Sequence, residues 1–462
     1  MNIRNYVGDK KFYKMVLGVA VPIMIQNGIT NFVSLLDNIM VGQIGTEQMS
    51  GVAIVNQLIF VFNLCIFGVV SGVGIFGTQF WGKKDYEGVR ETFRFKIISC
   101  TLIGIGAILL LKRFDSDLVS LFLHDGGNSG NIAETLIHGK GYLSIIVIGL
   151  IPFVINQVYS STLRETGETV LQMKAGIVAV CVNMMFNYVL IFGKLGLPVL
   201  GARGAAIATV ISRFVECIII VVYTHKHKKK YIFIEKIYSS MKVSRVLMKN
   251  IFLKGTPLMC NELLWGAGIS IMTQCYSLRG LAVVAAINIA STISNLFSVV
   301  YISLGSAVSI IIGQLLGAGK MEEARDMDRK LIAFSVVSCS IVAIFMIVLA
   351  PAFPAIYNTT NEVKSLASKF IIALAFSMPL VAFTNASYFT LRSGGKTVVT
   401  FLFDSVFIWV CSIPVAFILS RYTLINIVMV YFICQMLEFI KCIIGFVLVR
   451  SGVWIQNIVM EK

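Results

Sequence analysis

Long apolar runs separated by short polar segments set the pattern of this chain. Runs such as LIGIGAILLL, YLSIIVIGLIPFVI and LIAFSVVSCSIVAIFMIVLA are apolar on every face of a helix. A surface helix of a soluble protein keeps a polar face instead. A helix needs roughly 20 predominantly apolar residues to cross hydrocarbon. Twelve such spans are expected, at about 14–42, 52–81, 93–113, 139–160, 171–193, 203–224, 252–276, 283–313, 331–356, 366–390, 398–420 and 423–449. Several exceed the crossing length, which predicts tilt or protrusion into water. The fold class is therefore an all-α polytopic membrane protein, with the lipid bilayer as its first partner.

Composition sharpens this picture. The chain is 57% hydrophobic and 13% charged, against about 25% charged for soluble domains. Its net charge of +16 would suit nucleic acid, but the basic residues lie in short segments between spans, so no nucleic-acid partner is expected. With the N-terminus inside, cytoplasmic segments hold 28 Lys and Arg and outer segments hold 9. This bias places both termini in the cytoplasm of a multi-pass cell-membrane protein. The first apolar stretch runs far past a short signal core, which predicts a retained span rather than a cleaved leader. The ten Cys are scattered, with no C-x-x-C pair, so neither a disulfide framework nor a zinc site is indicated.

The longest polar linker, THKHKKKYIFIEKIYSSMKVSRVLMKN, separates six spans from six. It divides the chain into 1–235 and 236–462. These halves resemble each other. At a shift of 235 residues, Pro22 meets Pro257, Met24 meets Met259, Phe62 meets Phe297, Gln79 meets Gln314, Gly82 meets Gly317, Glu87 meets Glu322 and Arg90 meets Arg325. Near a shift of 228, TLRETGET (162–169) meets TLRSGGKT (390–397). An even number of spans per half makes the repeats parallel, in two pseudo-symmetric six-helix lobes. Transporters use such paired halves around a midplane site; the same duplication would also serve a channel or scaffold. Pro22, Pro152, Pro257, Pro379 and Pro414 fall inside spans, where each removes a backbone bond and favours a kink.

A charge inside a span costs at least a few kcal/mol and needs an explanation. Asp37, in SLLDNIMVG, has no Lys or Arg within a helical turn. Such a carboxylate binds a cation, takes up a proton or faces a wet cavity. Asn183 and Asn187 share one helix face by their i, i+4 spacing, and their carbonyl oxygens suit hard cations. They suit interhelical packing too, as does Thr209 in the small-residue segment GAAIAT. Glu262, in GTPLMCNELLWG, has no cation nearby in sequence and could receive a cationic substrate or a proton; Asp404 is similar. Arg213 with Glu216, and Glu438 with Lys441, are spaced i, i+3 and are expected to neutralise each other within one helix.

No nucleotide site is expected: SGGKT (393–397) lacks the first P-loop glycine, with Thr390 in its place. No HExxH, GxSxG or His–Cys cluster occurs, so the chain is not expected to be an enzyme, and no organic cofactor is implied.

Several motifs together resemble the multidrug and toxic compound extrusion (MATE) family, bacterial type. They are LLDNIMVGQIG, GTQFWGKKDYEGVRE, NMMFNYVLIFGKLGLPVLGARGAAIAT, PLMCNELLW, GQLLGAGKMEEAR and LRSGGKT. The resemblance spans essentially the whole chain. It implies two lobes facing a central cavity and a monomer exporting organic, often cationic, compounds against inward Na⁺ or H⁺. The family's cation site would fall on Asp37, Asn183, Asn187 and Thr209, with Ala205 supplying a carbonyl; Na⁺ is the metal ion this set would take. Some members carry Asp where this chain has Asn187, which removes an anionic ligand. The acidic residue of the NorM-type second lobe would be Glu262, while that branch's second acid is missing from AFTNASYF. Two alternatives remain at this point: a lipid-linked oligosaccharide flippase of the same superfamily, and a channel-like membrane protein.

Overall fold

The computed structural model describes residues 6–121, 132–357 and 359–460, apart from the side chains of Leu35, Asn38, Ile39 and Thr46. Among these residues the chain is helical and holds no strand. Twelve long helices follow one another: α1 (Lys10–Gly42), α2 (Thr46–Lys83), α3 (Tyr86–Arg113), α4 (Ile132–Glu165), α5 (Thr169–Phe192), α6 (Ala202–Lys226), α7 (Arg245–Ser277), α8 (Leu281–Gly317), α9 (Met321–Leu349), α10 (Asn361–Ser393), α11 (Thr397–Tyr422) and α12 (Ile427–Arg450). Eleven are long and apolar enough to cross a membrane. The remaining one, α7, carries Arg245, Lys249, Lys254 and Glu262 along its length.

The expected ninth span, 331–356, is shortened. The α9 helix ends at Leu349, and Pro351 and Pro354 turn the chain through a 3₁₀ segment at Pro354–Ile356. Proline lacks the N–H that would continue the ladder. Conversely, α2, α3 and α9 begin six to ten residues before the expected spans, in polar turns that apolarity does not reveal.

Two compact units divide the chain. One comprises residues 25–77 and 86–249; the other comprises 1–24, 78–85 and 250–462. The division runs through α1 and α2 as well as through the polar linker, so the units are not simply the segments 1–235 and 236–462.

Within the first unit, α5 and α6 cross closely. A Cβ at Gly204 would lie 2.7 Å from the Leu190 carbonyl carbon, so glycine permits the approach. Gly193 closes α5 in the left-handed conformation, at φ +65°, which glycine adopts without a Cβ penalty. These two glycines set the α5–α6 pair that positions the site described below.

Within the second unit, the apolar core joins Leu304, Val308 and Ile312 of α8 with Leu331 of α9, Leu391 of α10, Phe12 and Val16 of α1, and Trp454 after α12. Here the repeat has a structural meaning. Gly82 packs on the backbone of Gln314, and Gly317 packs on the backbone of Gln79. Each glycine meets the other repeat's glutamine, and any side chain at either would strike a carbonyl. Gln79 then donates to the Ser393 carbonyl at 2.8 Å and accepts from the Ile458 N–H at 2.8 Å.

Candidate functional site

In the first unit, α1 supplies Asp37, α5 supplies Asn183 and Asn187, and α6 supplies Thr209 and Ala205. The structure brings all five into one hydrogen-bonded chain. Asn187 Nδ2 donates to Asp37 Oδ1 at 2.5 Å and to Asn183 Oδ1 at 3.1 Å. Asn183 Nδ2 lies 3.5 Å from Thr209 Oγ1, which donates to the Ala205 carbonyl at 3.0 Å. The i, i+4 spacing of the two Asn places both amides on the α5 face turned to Thr209. Asn183 and Asn187 are 4% and 1% exposed.

Asn187 Oδ1 is buried and has no hydrogen-bond partner among the described residues. Buried polar atoms are nearly always paired, so this oxygen needs a donor or a cation. Among the described residues, Asp37 has no cationic group within 4.0 Å. The set therefore offers one carboxylate, two amide oxygens, a hydroxyl and a carbonyl. That fits a hard monovalent cation better than a soft or highly charged one. Among the described residues no cluster of three or more His, Cys, Asp or Glu could hold a metal.

In the second unit, α7, α10, α11 and α12 build a different polar centre. Tyr388 and the Arg392 guanidinium both lie near enough to act on Glu262 electrostatically. Asn261, beside it, donates to Asp404 at 3.2 Å and to the Tyr388 hydroxyl at 3.3 Å. Ser405 in turn donates to Asn261 Oδ1 at 2.7 Å. Asp404 sits in a π-helical turn, Leu402–Val406, and a second wide turn, Ile408–Ser412, precedes Pro414. Such turns accommodate a proline ring that the α ladder would exclude.

Two expectations change here. Asp404 does not resemble Glu262: it forms an ion pair with Lys441 at 3.1 Å. Lys441 also pairs with Glu438 at 3.3 Å, so the expected i, i+3 pair exists but its cation is shared between two helices. Glu438 further accepts from Thr384 at 3.0 Å. Arg213 and Glu216 form no ion pair within 4.0 Å among the described residues. Arg213 instead donates to the Gly149 carbonyl at 3.4 Å and lies 5.1 Å from the centre of the Phe153 ring.

One buried pair escaped the sequence reading. Lys96, which falls at a cytoplasmic segment by span placement, is 0% exposed on α3. Its ammonium lies 2.6 and 2.7 Å from the two Glu165 oxygens and 3.0 Å from Thr162 Oγ1. Lys96 and Glu165 are 69 residues apart, beyond any helical-spacing signal. Gly74 and Gly77, three apart on α2 and facing the carboxylate, were the available hint.

Two units built largely of helices long and apolar enough to cross a membrane, each enclosing buried ionisable side chains, suit a membrane transporter. The MatE family model matches residues 22–189 and 257–418, and the chain belongs to the MatE family. The two matches begin at Pro22 and Pro257, the same register as the internal repeat. The chain is thus a multi-pass membrane transporter and not an enzyme. It is 24% identical over 413 residues to the probable multidrug resistance protein YoeA of Bacillus subtilis, covering 89% of this chain and 88% of that one. It is 27% identical over 417 residues to a probable multidrug resistance protein NorM of Halalkalibacterium halodurans, with 89% and 88% coverage. Among solved structures it is similar to a MATE in complex with MaD3S, at TM-score 0.86 and 19% identity over 98% of both chains. It is also similar to an outward-facing MATE family transporter of the MOP superfamily, at TM-score 0.83 and 19% identity over 98% and 97% of the chains. These likenesses establish the twelve-helix, two-lobe fold.

Proposed function

We propose that the chain is an antiporter that exports small organic cations in exchange for inward Na⁺, bound at Asp37, Asn183, Asn187, Thr209 and the Ala205 carbonyl. The observation that carries this reading is the five-residue chain itself. A lone carboxylate meets an amide whose oxygen, Asn187 Oδ1, is buried without a partner. Na⁺ must exchange most of its water for oxygens, and this set supplies them. A proton needs one carboxylate only, so H⁺ is the second reading, and the single negative charge suits a proton as well as Na⁺. The names of the relatives, multidrug resistance proteins, support drug export. Glu262 supports a cationic substrate, because a carboxylate offsets the cost of placing a cation in a low-dielectric cavity.

A pyrophosphate-carrying flippase would need uncommitted cations. Of the two in-span cations, Lys441 is held by two carboxylates, which disfavours that alternative, whereas Arg213 is engaged only by the Gly149 carbonyl and the Phe153 ring among the described residues. A channel is separated by counterflow, which it does not show. The working unit is taken as a monomer, and both termini are placed in the cytoplasm on the Lys and Arg bias. The deciding experiment imposes a Na⁺ gradient on proteoliposomes with equal pH on both sides and a protonophore present. Substrate uptake should follow the Na⁺ gradient. Uptake that ignores Na⁺ and appears only under a pH gradient in Na⁺-free buffer would overturn Na⁺ coupling.

A further inference from the structure

The two repeats treat one matched threonine differently, and the difference counts protons. In the first unit, Thr162 donates to the Val158 carbonyl at 3.1 Å and receives the Lys96 ammonium at 3.0 Å. Its partner at a shift of 228 is Thr390. Thr390 lies 3.0 Å from the carbonyl of Ala386, also four residues back, and 2.5 Å from Asp328 Oδ1 on α9. A hydroxyl has one proton to give. If Thr390 spends it on Ala386, as Thr162 does on Val158, the third group must donate, and Lys96 is an obligate donor. Asp328 can play that part only as the acid.

The surroundings of Asp328 point the same way. It is 1% exposed, and its Oδ2 has no hydrogen-bond partner among the described residues. No Lys, Arg or His lies within 4.0 Å of it among those residues. Arg329, next to it on α9, acts on it only at longer range. The α8 helix carries no Asp, Glu, Lys, Arg or His. On α10, Arg392, two residues past Thr390, acts electrostatically on Tyr388 and Glu262. The α1 segment against α9 contributes Phe12, Tyr13 and Val16 to the contact. Burying an ionised carboxylate without a partner is far more costly than burying the acid. In the first unit, neutrality comes from an ion pair, Lys96 with Glu165. At the matched position of Glu165 the second unit has Ser393, so neutrality there needs a bound proton.

We propose that Asp328 is a buried proton-binding site, occupied in this conformation, with Asp328 Oδ1–H donating to Thr390 and Thr390 donating to the Ala386 carbonyl. The site is distinct from Asp37 and does not depend on which ion is coupled there. The test is infrared spectroscopy of the full-length protein in lipid vesicles at neutral pH, comparing wild type with Asp328→Asn and Thr390→Val. A carboxylic-acid C=O band present in wild type and lost in Asp328→Asn is expected. Thr390→Val removes the acceptor, so it should shift that band to higher frequency with the helical fold intact. If Asp328→Asn does not fold, the Thr390→Val shift carries the test alone. A difference spectrum containing only carboxylate bands, or an acid band that Thr390→Val leaves in place, overturns the proposal.

Discussion

Replacing Lys96 with Met would remove the ammonium that neutralises the buried Glu165 carboxylate. The ammonium contacts both carboxylate oxygens, at 2.6 and 2.7 Å, and the two side chains are 0% and 8% exposed. The Glu165 carboxylate is packed against Gly74 and Gly77, where even an added Cβ would lie 2.8 Å from Oε1 at Gly74. Little room is left for water to replace the cation. Breaking one partner of such a pair costs about 3–5 kcal/mol, whereas replacing both by apolar groups of similar volume is often neutral or stabilising. At 1.4 kcal/mol per power of ten, Lys96→Met should raise the unfolded fraction by roughly two to three and a half orders of magnitude. The double variant Lys96→Met/Glu165→Leu should recover most of this loss. The assay is reversible unfolding in mixed micelles, with thermal melting of the intact protein as a second readout. A single variant within about 1 kcal/mol of wild type, or a double variant no better than the single one, would refute the reasoning.

Asp37→Asn should abolish ion-coupled uptake while leaving expression and melting close to wild type; near-normal coupled uptake at full driving force would remove Asp37 from the mechanism. Glu262→Gln should impair export of cationic dyes more than neutral ones, and equal losses would indicate a structural role for the carboxylate. Gly82→Leu and Gly317→Leu should each destabilise the protein by at least the roughly 1–3 kcal/mol typical of overpacking, because backbone rather than a flexible side chain stands opposite each glycine. Melting temperatures unchanged in both variants would contradict the reciprocal crossing.

All twelve long helices were legible because the bilayer allows little else: a chain in hydrocarbon must satisfy its backbone internally, and the apolar runs announce where. Their ends were less so. The first turns of α3, from Tyr86 to Thr92, hold Glu87, Arg90 and Glu91, and Val89 alone is too little apolar signal to mark them as part of a span. The Asn183–Asn187 face was readable because i, i+4 spacing is local. Pairings across helices were not. Lys441 and Asp404 are 37 residues apart, so sequence spacing suggested only the Glu438 partner. Asp328 carried no signal either, since an acidic residue in MEEARDMDRK reads as a solvated turn until the α9–α10 packing encloses it.

The repeat residues that match are mostly those that shape backbone: Pro22 with Pro257, Gly82 with Gly317, Gln79 with Gln314. The carboxylates inside the expected spans do not. At the same shift of 235, Asp37 faces Met272 and Glu262 faces Asn27. Duplication thus supplied a scaffold twice without duplicating Asp37 or Glu262. On the proposed reading, the ion belongs to the unit of Asp37 and the organic cation to that of Glu262. Exchange then requires a coupling free energy between two separate sites, typically 1–3 kcal/mol or about 5- to 150-fold in affinity. Saturating Na⁺ should therefore weaken dye binding to wild type by a factor in that range. In Asp37→Asn the dye should bind equally with and without Na⁺. In Glu262→Gln the dye should bind more weakly even in Na⁺-free buffer, while Na⁺ binding, read by protection of the protein against heat, should persist. Fluorescence titration of dye at several Na⁺ concentrations separates these cases. A Na⁺ effect of full size in Asp37→Asn would show that the ion acts elsewhere, and the division of labour between the two carboxylates would fall with it.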